Sequence, residues 1–179
     1  MLAFILMTLV ASPAAATDIY VAQSATGASN GADCADAYPV TWFNTAANWG
    51  TQIGPGVTVH LCGTITTSLT AQGNGAAGSP VTILFESGAI LSQPYCAGDA
   101  CLNLTGRSYI TVDGGTPCGY INGADLTCNG TIQNTTNGTN LANQINSTAI
   151  DATGGSNIEV RNLLIQHLYV HAGNTDAAE

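Results

Sequence analysis

The segment VTILFESGAI, at residues 81–90, decides the fold because it repeats the plan of VTVHLCGTIT at residues 57–66. Each segment begins with a β-branched strand, turns at a polar corner that carries Gly88 or Gly63, and continues into a second apolar strand. A hairpin would instead show polar and apolar residues alternating around a tight turn. Recurrence of the whole unit from residue 57 to residue 81 therefore predicts that the two leading strands lie side by side and run in the same direction.

Two later segments extend the pattern: YITVDGG starts at residue 109 and IEVRNLLIQHLYV starts at residue 158. Shorter apolar pieces, CLNLTG at 101–106 and TAIDATGG at 148–155, also end on glycine. Three short strands per turn, each bonded to its equivalents above and below, form a parallel β-helix. We predict an all-β fold of this kind with about four to five turns, because an antiparallel sandwich would show turn signals about every 8–12 residues.

The composition limits the partners of the protein. The chain has 179 residues, of which 45% are apolar and 7% are charged, and its only fixed positive charges are Arg107 and Arg161. A net charge of −9 argues against binding to nucleic acid or to an anionic membrane, since both need a cationic surface. Attraction to an acidic polymer is also disfavoured unless a cation such as calcium bridges the two.

The first residues, MLAFILMTLVASPAAA at 1–16, have the pattern of an export signal, with an apolar run, a proline and small residues at the end. A short buried segment is the alternative, and the run is too short to span a bilayer. We expect a secreted protein, extracellular or held at the cell surface or in the periplasm. The predicted divisions are a signal peptide at 1–16, an N-terminal cap segment at 17–56 and parallel β-helix turns at 57–179.

All six cysteines follow the predicted signal, and an even number in an exported chain favours disulfides: Cys34, Cys62, Cys96, Cys101, Cys118 and Cys128. Many pairings are possible. Closeness along the chain suggests one bridge from Cys96 to Cys101 and one from Cys118 to Cys128, which leaves Cys34 for Cys62. No metal site is predicted, because the spacings include no C-x-x-C pair. His60, two residues before Cys62, is interpreted as a packing residue.

The cap segment predicts a short helix at its end. Thr41 can cap a helix whose apolar residues recur at helical spacing before Gly50 stops it: Trp42, Phe43, Ala46, Ala47 and Trp49. We expect this helix to cover the first turn and to bury both tryptophans, with stacking on sugar rings as the alternative. No comparable lid follows residue 172, so we expect an uncapped C-terminal end and a longer natural protein, or self-association through that end.

The phrases YITVDGG and NIEVRNLLIQHLYVH resemble the strands of the pectin lyase-like, right-handed parallel β-helix superfamily, over roughly residues 55–172. The resemblance implies a right-handed coil and a substrate that lies along one exposed sheet. It implies the N-terminal part of an exported protein that binds or acts on extracellular polysaccharide, as a lyase or a glycoside hydrolase if it is an enzyme. No cofactor is evident, although a lyase would use calcium. The alternative is a non-catalytic adhesion or self-assembling solenoid.

The candidate site residues cluster in the last third of the chain. Asn174-Thr175-Asp176 is similar to the first acidic motif of polygalacturonases, which implies a catalytic role for Asp176. His167 and His171 are catalytic candidates because they share a face if the strand continues between them. Glu159, Arg161 and Asp151 are candidates for substrate binding. Glu159 and Arg161 are two residues apart on one strand and are expected to pair, and Asp113 is expected to bond the backbone of its own corner.

Overall fold

The computed structural model of the protein describes residues 18–96, 98, 100–116, 119–121, 124–127, 129–137, 145–172 and 175–178. Between residues 119 and 127, and from residue 169 onward, it describes the backbone alone. The predicted signal peptide at 1–16 and the predicted Cys118–Cys128 bridge lie outside the described residues.

Short strands make up most of the described chain. They are β1 Ile19–Ala22, β2 Tyr38–Pro39, β3 Thr58–Cys62, β4 Thr64–Ile65, β5 Leu69–Thr70, β6 Val81–Phe85, β7 Ile90–Gln93, β8 Leu102–Asn103, β9 Ser108–Asp113, β10 Gly119–Ile121, β11 Ala124–Thr127, β12 Gly130–Asn134, β13 Ile150–Asp151, β14 Ser156–Arg161, β15 Leu163–Gln166, β16 Tyr169–Ala172 and β17 Thr175–Ala178. One helical turn, α1 Val40–Phe43, and a 3₁₀ turn at Ala46–Asn48 lie between β2 and β3.

Three parallel sheets contain most of these strands. The first sheet has the order β14-β9-β6-β3-β1-β2, the second has the order β15-β12-β7-β4, and the third has the order β13-β8-β5. The chain passes from the first sheet to the second and the third before it returns to the first, as in β3, β4, β5 and β6. Strands β3 and β6 pair in parallel with Thr58 opposite Thr82, which confirms the pairing predicted from the repeated segment.

The prediction of an all-β, right-handed parallel β-helix of about four to five turns with an uncapped C-terminal end is wrong. Most of the described strands lie in three separate parallel sheets. An antiparallel pair, β10 with β11, interrupts the parallel series, and a second one, β16 with β17, follows it. A helix, α1, is also present. The physical reason is that a recurring unit reports which strands are neighbours, whereas the way in which separate sheets are joined depends on connections that do not repeat.

The core lies between the sheets and consists of aliphatic columns that cross neighbouring strands. In the first sheet Val59, Ile83 and Val112 are opposite one another and fully buried. The column continues to Val160 on β14, which is 46% exposed. Burying a side chain of this size stabilises the fold by about 1.5–3 kcal/mol. The columns therefore hold the sheets together and turn the alternate residues of each strand outward.

The helix in the cap segment is shorter than predicted. It begins after Pro39 and not at Thr41, and it ends at Phe43. Trp49 is buried, and its Nε1 donates a hydrogen bond to the Phe43 carbonyl oxygen at 2.7 Å. The predicted burial of Trp49 is confirmed.

The remaining apolar residues of the predicted helix behave differently. Ala46 and Ala47 are exposed, because the chain forms a 3₁₀ turn there and the helical spacing is not kept. Trp42 is half-buried, and its ring stacks on that of Tyr38 with 4.2 Å between the ring centroids. The predicted burial of both tryptophans is therefore wrong for Trp42.

Side-chain amides complete two sheets beside the cap segment. Asn44, just after α1, accepts a hydrogen bond from the Thr70 amide and donates one to the Ser68 carbonyl oxygen. Gln23, just after β1, accepts a hydrogen bond from the Thr66 amide. These amides satisfy backbone groups that a neighbouring strand would otherwise bond, which protects the edges of the sheets.

The structure shows the bridges Cys34–Cys62 and Cys96–Cys101, and both pairings were predicted. Disulfides of this kind indicate an oxidising compartment outside the cytoplasm. In the part of the chain that the structure describes, no helix is long and apolar enough to cross a membrane.

Candidate functional site

One row of side chains crosses the outer face of the first sheet. Each member lies opposite the next on the neighbouring strand, and on β1, β3, β6 and β9 the members alternate with buried core residues of their own strand. We call this set the outer row: Tyr20, His60, Leu84, Asp113 and Arg161. Two polar clusters form along it, one around His60 and one around Asp113.

His60 lies between two carboxylates. Its Nδ1 is 2.5 Å from Oε1 of Glu86, and its Nε2 is 3.6 Å from Oδ1 of Asp18. The imidazole stacks on the ring of Tyr20 with centroids 4.2 Å apart and 14° between the planes. We call these four residues the His60 cluster. His60 is buried within it, whereas both carboxylates reach the surface.

Negative charge dominates the surroundings of this cluster. The pKa of Tyr20 is raised, first by burial and then by the charges of Glu86, Asp18 and Asp33. All three carboxylates act in the same direction because each disfavours a second negative charge on the phenol oxygen. The His60 cluster is therefore an acidic site in which the half-buried ring of Tyr20 lies on the buried ring of His60.

Two clefts open beside the His60 cluster. The Tyr38 cleft has a volume of about 530 Å³ and is lined by Asp18, Asn30, Tyr38, Thr51 and Gln52 among others. The Glu86 cleft has a volume of about 500 Å³ and is lined by Gln23, Ser24, Thr26, Thr64, Glu86 and Ser87 among others. Asp18 lines the Tyr38 cleft and Glu86 lines the Glu86 cleft, so the His60 cluster borders both depressions of the surface.

Asp113 is the centre of the second cluster. It accepts hydrogen bonds from Arg161 Nε at 2.7 Å, from Asn162 Nδ2 at 3.0 Å and from the Gly115 amide at 2.9 Å. Burial alone would raise the pKa of Asp113, but the hydrogen bonds from Asn162, Arg161 and Gly115 and the charge of Arg161 lower it overall. The predicted corner bond of Asp113 is confirmed by the contact with Gly115.

The predicted pair of Glu159 and Arg161 is also confirmed. Glu159 Oε1 lies 3.2 Å from Arg161 Nη1, and both side chains are largely exposed. The pair extends the Asp113 cluster to the edge strand β14. Exposed pairs of this kind contribute little to stability.

Asp151 does not join Glu159 and Arg161. It lies on β13 of the third sheet, opposite Asn103, and its carboxylate accepts a hydrogen bond from the Thr153 amide at 2.8 Å. A hydrogen bond from the hydroxyl of Thr153, and then this backbone bond, lower the pKa of Asp151. The predicted substrate-binding set is therefore divided between two sheets.

The predicted catalytic residues lie at the end of the described chain. Strand β15 ends before His167, whose φ of +62° breaks the extended backbone, so His167 and His171 do not share one strand as expected. The backbone positions of His171 and Asp176 are opposite each other in the antiparallel pair β16–β17. Within the described residues no group of three or more His, Cys, Asp or Glu side chains is arranged to hold a metal ion.

Sequence reasoning missed the contacts of His60 with Glu86 and Asp18. The repeated segment contained a usable signal, because shifting 81–90 onto 57–66 places Glu86 beside Cys62, two residues along from His60. Residues two apart on a strand share a face, so this shift places the side chains of His60 and Glu86 on the same outer face of the sheet. The role of Asp18 had no such signal, since β1 lies before the first recurrence.

Comparison with known proteins adds no relative: no family model, no curated protein and no solved structure matches this chain. The function must therefore be argued from the site itself.

Proposed function

We propose that this protein binds an extracellular polysaccharide on the outer face of the first sheet, at the His60 cluster and its two clefts. The observation that carries the proposal is the position of His60, which is stacked on Tyr20 and held between Asp18 of the one cleft and Glu86 of the other. Stacked rings offer an apolar surface, and carboxylates accept hydrogen bonds from hydroxyl groups. A sugar chain presents both kinds of surface.

The lining of the clefts supports a neutral, hydroxyl-rich ligand more than an anionic one. Asn30, Thr51 and Gln52 of the Tyr38 cleft offer amide and hydroxyl groups, which both donate and accept hydrogen bonds. The chain contains no lysine, and one of its two arginines, Arg161, is held by Asp113 and Glu159. Phosphate and sulfate groups would find little positive charge to bind.

The two disulfides support an extracellular location, and we propose that the protein is secreted. A secreted protein without a cationic surface meets polysaccharides and other proteins as its main polymeric partners. The outer row extends across five neighbouring strands, about 19 Å at the usual spacing between strands. The members of the row that reach the surface, Tyr20, Leu84 and Arg161, span this length, which suits a linear chain better than a compact molecule.

The test is a binding panel of neutral, acidic and amino polysaccharides, measured by affinity electrophoresis and calorimetry with the full chain. Glu86→Ala removes the partner of His60 and is expected to weaken binding about tenfold. Gln133→Ala is the matched control, because Gln133 lies on the outer face of the second sheet, where it bonds Gln166 and Ser92. The control is expected to bind as the unaltered protein does.

Cleavage is assayed in the same panel, since two carboxylates are the groups that glycosidic hydrolysis requires. New reducing ends that depend on Glu86 would extend the proposal from binding to catalysis. Binding of no polysaccharide, or binding that Glu86→Ala and Gln133→Ala affect equally, contradicts the proposal.

A further inference from the structure

Each of the three parallel sheets has a free edge, at β14, β15 and β13. From β3 onward the strands of each sheet follow chain order and the chain visits the sheets in turn, so these edges lie at the same end of the molecule. No described strand pairs with the free side of any of the three. A free edge presents unpaired N–H and C=O groups, which can pair with the strand of another chain.

The apolar columns of the core end in exposed side chains at these edges. On β15, Ile165 lies next to the fully buried Ile132 and Leu91 in its column and is 44% exposed. On β14, Val160 follows the buried Val112 in the same way. Val160 and Ile165 are two of the three large apolar side chains that are exposed among the described residues. A partner that covers them would remove both from water, which favours association.

The hydrogen bonds between β14 and β9 determine which backbone groups reach the free edge of β14. The Arg161 carbonyl oxygen accepts a hydrogen bond from the Gly114 amide at 3.0 Å, where the chain leaves β9. Backbone groups of successive residues in a strand point to opposite sides, so the N–H and C=O of Val160 point away from β9. Val160 is therefore the residue that can exchange two hydrogen bonds with an antiparallel partner strand.

The charges that flank Val160 are complementary to a second copy of the same strand. Glu159 and Arg161 lie on either side of Val160, so an antiparallel copy of β14 centred on Val160 places Glu159 opposite the partner's Arg161. Opposite charges across antiparallel strands stabilise the pairing, and like charges destabilise it. Arg161 uses Nε for Asp113 and Nη1 for Glu159, which leaves further N–H donors for the partner.

The edges at the other end of the sheets are poor partners for β14. The first sheet ends there on β2, whose Pro39 has no N–H to donate. Gln23 and Asn44 already bond backbone groups beside β4 and β5, which are the other edges of the second and third sheets. A head-to-tail stack is therefore disfavoured, whereas a two-fold arrangement uses the free edge of β14 in both copies.

We propose that two copies of this protein associate through β14, with the two strands antiparallel about a two-fold axis at Val160. The first sheets of the two copies then form one continuous sheet. The net charge of −9 opposes self-association in general, but Arg161 lies in the contact and salt screens the remaining repulsion. This inference goes beyond the proposed binding of polysaccharide and does not depend on it.

The test is sedimentation equilibrium of the full chain at physiological ionic strength over a range of protein concentrations. We expect a reversible dimer. Val160→Lys places two ammonium groups at the axis and is expected to raise the dissociation constant at least about tenfold. The matched control is Ile145→Lys, since Ile145 is 39% exposed and lies outside the strands. The control should leave the dimer unchanged, and thermal melting checks that each variant is folded.

Two further variants test the register. Glu159→Arg changes an exposed side chain and places an arginine opposite the partner's Arg161, which should weaken the dimer about tenfold. Val160→Cys should give a covalent dimer under mild oxidation, because the Cα atoms of such a hydrogen-bonded pair are about 5.5 Å apart, within the span of a disulfide. Ile145→Cys should give none.

A dimer that Val160→Lys and Glu159→Arg weaken, and that Val160→Cys links covalently, supports the proposal. A monomer at every concentration overturns it, as is expected if other residues of the same chain cover the edge. Equal weakening by Val160→Lys and Ile145→Lys places the contact elsewhere and also overturns it. Species that grow beyond the dimer with concentration contradict the two-fold arrangement.

Discussion

Arg161 lies directly across the β9–β14 pairing from Asp113, and its Nε is 2.7 Å from Asp113 Oδ2. The two residues are far apart in sequence, and only the register of the parallel strands brings them together. Their contact joins the edge strand β14 to the interior of the first sheet. It also makes the stability of that edge depend on an ionised carboxylate.

The first prediction concerns the contribution of Asp113 to stability at low pH. The folded pKa of Asp113 lies below its unfolded value of about 3.9, so its contribution to stability is present above that value and is lost as the pH falls through the folded pKa. We expect Asp113→Asn to lower the free energy of unfolding by about 1 kcal/mol at neutral pH and by less in acid. Urea denaturation at a series of pH values measures the difference in the free energy of unfolding.

The control is Glu159→Gln, at the exposed partner of the same guanidinium. It should change the free energy of unfolding by less than about 0.5 kcal/mol. A difference for Asp113→Asn that persists at the lowest pH would contradict this account.

The second prediction concerns the two bridges. Cys34–Cys62 closes a sequence separation of 28 residues and Cys96–Cys101 closes one of 5. In the chain-entropy model the bridge that closes the longer loop stabilises the folded protein by about 3–4 kcal/mol, and the bridge that closes the shorter loop stabilises it by about 2 kcal/mol. Replacing both cysteines of one bridge by alanine should therefore lower the melting temperature more for Cys34–Cys62. The opposite order would show that local packing around the buried Cys96 and Cys101 outweighs loop closure.

The third prediction concerns Gly114, where the chain leaves β9. A Cβ atom there would collide with the carbonyl group of Asn162 and with Leu163, at the corner between β14 and β15. Gly114→Ala should lower the free energy of unfolding by about 3 kcal/mol, because backbone on both sides has to move. Gly54→Ala is the control, since a Cβ at Gly54 meets nothing within 4 Å. Similar unfolding midpoints for the two variants in urea would show that this corner is not closely packed.

The fourth prediction concerns the tryptophan that covers the core. Trp49→Phe removes the hydrogen bond to the Phe43 carbonyl oxygen in a buried place. We expect a loss of about 1–3 kcal/mol in the free energy of unfolding. Trp42→Phe keeps a ring on Tyr38 and should have a smaller effect, because Trp42 is half-buried. Equal losses would contradict the separate roles assigned to the two residues.

Local recurrence in the sequence was enough to predict the pairing of β3 with β6, because the two segments share strand, corner and second strand. It did not predict the three separate sheets or the antiparallel pairs, which depend on connections without a repeat. The extent of the helix was also wrong. Five apolar residues at helical spacing do not outweigh the packing that turns Trp49 into the core after a 3₁₀ turn.

The candidate site was less predictable than the strands. The Glu159–Arg161 pair was predicted because its members lie on one strand, and the same local argument gave the corner bond of Asp113. Contacts between strands need the register, which a sequence shows only where two segments visibly repeat. For this reason Arg161 was not assigned to Asp113, and His60 was interpreted as packing alone.

The passage from β9 to β14 has a practical consequence. Across these strands Ser108 pairs with Ser156, and Asp113 pairs with Arg161. The members of each pair are twice as far apart in sequence as Thr58 and Thr82, yet β9 and β14 pair in parallel just as β3 and β6 do. The additional chain, which includes β10 and β11, is accommodated without a change of register. Doubling the length of a loop costs only about 0.6 kcal/mol in closure entropy. The connection that contains β10 and β11 is therefore a place to graft a foreign peptide or reporter while the paired strands keep their register.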